Sequence, residues 1–117
     1  MEFDNCSIHD IESASPEMLD GLPFGVIGFA ASGDVELYSS AESRMAGLSP
    51  DKVVGKHLFT VVAPCMNNFL VAQRFEDEPE LDATIDFVLT LRMRPTPVKL
   101  KLLKSSGVAR RYLLVKR

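Results

Sequence analysis

The side chains capable of chemistry fall into three small groups in this 117-residue sequence. Cys65 and His57 lie eight residues apart, a spacing open to a thiol nucleophile with an imidazole base. No third group stands ready to orient the imidazole and no oxyanion hole is evident, so His57 is expected to be a surface or locally satisfied histidine ending a short helical turn. Cys65 sits in Val61-Val62-Ala63-Pro64-Cys65-Met66-Asn67-Asn68, an apolar segment that enters a proline-constrained turn ahead of asparagines suited to capping a helix. A thiol at a helix N-terminus is shifted toward thiolate. The alternative is an inert core thiol, since free cysteine is among the most buried residue types. Tyr38 and Glu42 are four residues apart around a serine-capped helix start. On a helix that spacing aims a phenol and a carboxyl at one acceptor; otherwise Tyr38 is a core aromatic ending a strand and Glu42 a first-turn acid favoured by the helix dipole.

Beyond these groups the sequence offers catalysis little. It has no glycine-rich phosphate loop, no nucleophile elbow and no metal-spaced histidine pair, and its two cysteines and two histidines do not make a zinc site. An enzyme is therefore not expected. With 46% hydrophobic and 25% charged residues the chain reads as one globular domain with a real core. Its apolar runs are too short to span a bilayer, and its acidic start has no basic region ahead of an apolar stretch. A cytoplasmic protein with Cys6 and Cys65 as free thiols is the expectation.

Charge is unevenly spread. Residues 1–20 carry Glu2, Asp4, Asp10, Glu12, Glu17 and Asp20 and no Lys or Arg, whereas residues 91–117 carry nine bases and no acid. Such ends are either solvated faces that attract weakly through salt or an acidic segment docked across basic strands as a removable cap. Nucleic-acid binding is not expected, because no recognised motif or aromatic stacking pattern accompanies the bases.

The elements that must position these residues follow from pattern. Ser15 to Gly21 has the caps of a short helical turn. Phe24–Ala30, the Ser32-Gly33-Asp34 turn and Val35–Tyr38 make a β-hairpin. Ser39 or Ser40 caps a helix to Gly47, and Ser49-Pro50-Asp51 starts another that ends at Gly55. Phe69, Ala72 and Phe75 recur at a helical step, which predicts a longer helix capped by Asn67 or Asn68. From Ile85 to Met93 residues alternate, and two more strands follow around Val98–Leu102 and Arg111–Lys116. Two strands, short helices and three strands make a mixed α+β domain with a sheet of about five strands.

Several strings carry a resemblance: Leu22-Pro23-Phe24-Gly25-Val26-Ile27, Tyr38 with Ala41-Glu42, Gly47 and Pro50, Val54-Gly55-Lys56 and, above all, Val62-Ala63-Pro64-Cys65. The likeness resumes at Met93, Pro95-Thr96 and Val98-Lys99 and ends on Val115-Lys116-Arg117. Together these resemble the photoactive yellow protein family of PAS-fold light sensors. The resemblance implies a PAS fold, a five-stranded antiparallel sheet with short flanking helices, divided into an acidic N-terminal cap (residues 1–21) and a photosensor domain (22–117). It also implies a blue-light receptor with p-coumaric acid (4-hydroxycinnamic acid) held as a thioester on Cys65. The phenolate would be hydrogen-bonded by Tyr38 and a protonated Glu42. Ala46, Leu48, Phe59, Val62, Ala63, Pro64, Phe87, Leu89 and Met93 fall at pocket or pocket-adjacent positions.

On this reading light isomerises the bound group from trans to cis and Glu42 gives up its proton. The unpaired buried carboxylate that results then drives partial unfolding, with the acidic leader as the element released. The signal passes to a separate downstream protein, and the chain is a monomer or weak dimer. Two departures matter: Ala46 replaces the family's usual threonine and Leu48 its usual arginine, which implies a shifted absorption maximum and an altered recovery rate. The alternative is a PAS ligand-binding or protein-interaction module without photochemistry, in which Cys65 is a free or redox-active thiol.

Overall fold

A computed structural model describes residues 1–90 and 94–117. Two short helices come first, α1 (Ile8–Ser13) and α2 (Pro16–Asp20), then strands β1 (Gly25–Phe29) and β2 (Val35–Tyr38). Helices α3 (Ser40–Ala46) and α4 (Pro50–Val53) follow, with a π-helical turn at Leu58–Val62, a 3-10 turn at Pro64–Met66 and α5 (Ala72–Asp77). Strands β3 (Leu81–Leu89), β4 (Thr96–Lys104) and β5 (Arg111–Lys116) complete the chain. The five strands form one sheet in the order β2-β1-β5-β4-β3, every neighbouring pair antiparallel. This is the α+β, five-stranded architecture expected from the sequence.

Each face of the sheet has its own core. Ile27, Phe29, Leu100, Leu102, Leu113 and Val115 point to one face, where they pack with Leu58, Phe59, Met66, Val71 and Phe75 from the central helices and turns. Val26, Leu103, Tyr112 and Leu114 point to the other, covered by Phe3, Cys6, Ile8, Ile11, Leu19, Leu22 and Phe24. Because β1 lies between two strands and is covered on both faces, all five of its residues are buried. The N-terminal segment thus docks through apolar side chains. Among the described residues none of its carboxylates forms an ion pair with a Lys or Arg side chain. Its polar attachment runs instead through Lys101, only 4% exposed, whose Nζ donates to the carbonyls of Phe3 (3.1 Å), Asp4 (3.2 Å) and Cys6 (2.7 Å). The Tyr112 hydroxyl also hydrogen-bonds the Glu12 carboxylate.

Three expectations change. Helix α1, unforeseen, is closed by a capping box in which Ser7 and Asp10 each serve the other's backbone N–H. Helix α5 begins only at Ala72, because the Asn68 side chain accepts from the N–H groups of Leu70 and Val71 and closes a turn first; Phe69 is left 77% exposed. Strand β3 starts at Leu81, four residues before Ile85, and pairs with β4 from Leu81↔Lys104 to Leu89↔Thr96. The expected continuation through Leu91 and Met93 lies outside the described residues.

Candidate functional site

Cys65 is placed by a chain of backbone constraints that begins at the β1–β2 turn. Gly33 sits there with φ +95°, and the His57 ring packs where a side chain would be, with Nε2 2.2 Å from an added Cβ. Around it Val35 N–H donates to Lys56 O (2.9 Å), Gly55 N–H to Val35 O (2.8 Å) and Leu58 N–H to Gly33 O (2.8 Å). His57 Nδ1 accepts from the N–H groups of Phe59 and Thr60 and caps the π-helical turn. His57 is thus a locally satisfied histidine, with its Nδ1 lone pair occupied by backbone. The turn ends at Ala63, and the 3-10 turn from Pro64 presents Cys65, half-buried against the same core that holds Tyr38.

Tyr38 ends β2 and is 6% exposed, while Glu42 lies in the first turn of α3 and is 4% exposed. Of the two readings of this pair, the structure has Tyr38 ending its strand as a core aromatic and Glu42 as a first-turn helix acid, and across the strand-to-helix junction the Glu42 charge acts on the phenol. Ser39 makes that junction, its Oγ accepting from Glu42 N–H (3.4 Å) and from Val26 N–H of β1 (2.9 Å). Burial raises the Tyr38 phenol well above its ordinary value; the Glu42 charge adds to the shift and Arg117 opposes it. The Glu42 carboxyl is likewise pushed up by burial, while hydrogen bonding and charge from Arg117 pull it part of the way back. Arg117 Nη1 donates to Glu42 Oε1 (2.8 Å) and Nη2 to Oε2 (3.2 Å), a two-pronged pair. Among the described residues the Tyr38 hydroxyl has no hydrogen-bond partner.

The other expected pocket residues divide. Ala46, Phe59, Ala63 and Leu89 are buried, and Leu48, Val62 and Phe87 are half-buried against the same core. The Phe59 ring stands edge-on to Phe29, 5.5 Å between centroids. Pro64 is exposed, so it acts on Cys65 through the backbone, and Met93 lies outside the described residues. Arg117 is the site residue that sequence reasoning missed. A signal was there: counted by twos from Leu113 and Val115, Arg117 continues the inward-facing side of β5 and brings a cation to it.

Residues 16–114 match the PAS fold family. A photoactive yellow protein from Rhodothalassium salexigens is 32% identical, covering 100% of this chain and 99% of its own length. The chain belongs to the photoactive yellow protein family. A second member, from Halochromatium salexigens, is 34% identical with 92% of each chain covered. The photoactive yellow protein domain of the sensor histidine kinase Ppr from Rhodospirillum centenum superposes with a TM-score of 0.84 at 33% identity, covering 93% of this chain and 98% of that domain. Membership makes the chain a PAS sensory domain of the photoactive yellow protein type.

The residues present fit the family's chromophore. A half-buried thiol, the phenol of a buried tyrosine and a carboxyl raised by burial share one side of the sheet. In such a set the sulfur can be acylated, and the phenol and a protonated Glu42 carboxyl can donate to an oxyanion.

Proposed function

We propose that the chain is a cytoplasmic blue-light photoreceptor, an N-terminal cap (1–21) on a photosensor domain (22–117), with 4-hydroxycinnamic acid as a thioester on Cys65. When bound, the group supplies light absorption, a trans–cis isomerisable double bond and a phenolate able to take a proton. Tyr38 and Glu42 are the donors for that oxyanion, and a carboxyl donates only while protonated, which its raised pKa favours. The apolar wall of Phe59, Val62, Ala63, Phe87 and Leu89 excludes water and strengthens both donors. Loss of the Glu42 proton leaves a carboxylate 4% exposed that faces Arg117 instead of standing unpaired as the sequence implied, and the change of charge at that pair is the local event that loosens the fold toward a downstream protein.

The observation that carries this reading is the burial of the Glu42 carboxyl beside the Tyr38 phenol, on the face that also holds Cys65. The experiment is an absorption spectrum after reconstitution with activated p-coumaric acid, alongside Cys65→Ala, before and after a blue flash. The expected result is a visible band that needs Cys65, bleaches and recovers. Confirmed exposure to the activated acid with no band in the parent protein would leave a PAS interaction module with a free Cys65.

A further inference from the structure

Deprotonation of a buried acid usually leaves a charge with no partner, and that cost drives rearrangement. This chain has a partner in place. The Arg117 side chain is 15% exposed, the Glu42 side chain 5%, and two N–H groups meet two oxygens at 2.8 and 3.2 Å. Backbone fixes the carboxylate's seat: Glu42 Oε1 occupies the space over Gly25 of β1, 2.2 Å from where a Cβ would stand. The titratable groups facing Glu42 are Tyr38 from the end of β2 and Arg117 from the end of β5. A leucine at position 48 supplies no cation from the α3–α4 loop, so the positive charge arrives from the other end of the chain.

We propose that Arg117 is the positioning residue and counter-ion for Glu42, so that loss of the Glu42 proton is answered by an ion pair at the end of β5. The proton leaves the carboxyl; the guanidinium, already cationic, takes no proton and donates two N–H bonds. The neighbouring Lys116 ammonium stands over the Phe3 ring at 5.8 Å, so the same end of β5 touches the N-terminal segment. Glu42 pairing is thereby linked to how that segment is held. The role in signalling rests on the photoreceptor reading above, whereas the pair itself does not.

The test starts on the chromophore-free protein, by ¹³C NMR titration of the Glu42 carboxyl in the parent chain, Arg117→Gln and Arg117→Lys. Arg117→Gln is expected to raise the midpoint by roughly one to three units, as loss of a close opposite charge does, with partial rescue by Lys and unchanged dispersion elsewhere. Equal midpoints in parent and Arg117→Gln would overturn the proposal, whether or not the protein is photoactive. In reconstituted protein, the flash-induced increase in hydrogen exchange over residues 1–24 is expected to be larger in Arg117→Gln. An unchanged increase, with a visible band present, would remove Arg117 from signalling; absence of the band would count against the photoreceptor reading alone.

Discussion

The two faces of the sheet each bury a charged group, and they satisfy it by opposite means. On the Cys65 face the Glu42 carboxyl meets a formal charge, Arg117, and a single proton decides whether the two attract. On the N-terminal face the Lys101 ammonium meets three neutral carbonyls of residues 3–6, and those contacts end only if the backbone moves. The first face is built to register a change of charge and the second to hold a segment in place. The end of β5 touches both faces, Lys116 through the Phe3 ring and Arg117, one residue past the strand, through Glu42.

The largest effect is expected at the holding face. Lys101→Met leaves buried carbonyls of the N-terminal segment without donors, and about 3 kcal/mol of stability should be lost in urea denaturation. Amides of residues 1–24 should exchange early in the same variant; a loss spread evenly over both faces would dissolve the contrast. Next comes the pH dependence of the Cys65 face. Burial holds the Glu42 carboxyl above its ordinary 4.5, so the folded chain binds this proton more tightly than the unfolded one. The contribution is complete below pH 4.5 and lost as pH rises through the folded value. Denaturation midpoints of Glu42→Gln should therefore fall less over that window than those of the parent, and those of Arg117→Gln should fall more.

A smaller, alkaline effect belongs to the N-terminal face. The Tyr112 phenol is pushed from 10.0 up to about 12, chiefly by burial and then by its hydrogen bond to Glu12. Its contribution is whole below pH 10 and disappears between pH 10 and about 12, a dependence that Tyr112→Phe should remove from thermal melts. The smallest effect sharpens the comparison from outside. Lys99 lies 2.9 Å from Asp86 on exposed strand positions, and Lys99→Ala should leave the Tm unchanged, as water screens such a pair.

Much of this was legible from residue order. Alternation along β4 and β5, the Ser32-Gly33-Asp34 turn and the serine that caps α3 each act locally, and each appears where pattern placed it. Cys65, Tyr38 and Glu42 stood out by type and spacing. What escaped was non-local. Lys101 alternates with leucines like any solvated strand lysine, and only the N-terminal segment folded against it makes it a buried one. Arg117 and Glu42 are 75 positions apart, and the β1–β5 pairing that aligns Gly25 with Val115 brings them together. Helix α5 shows the converse: a helical spacing at Phe69 gave way to the turn closed by Asn68.

The grip of Lys101 has one more consequence. Its acceptors are main-chain oxygens, which every residue type supplies alike, so the clasp is indifferent to the letters it holds. The exposed positions of residues 1–6 are free to diverge between relatives without loosening it, whereas inserting or deleting one residue there would move the carbonyls out of register.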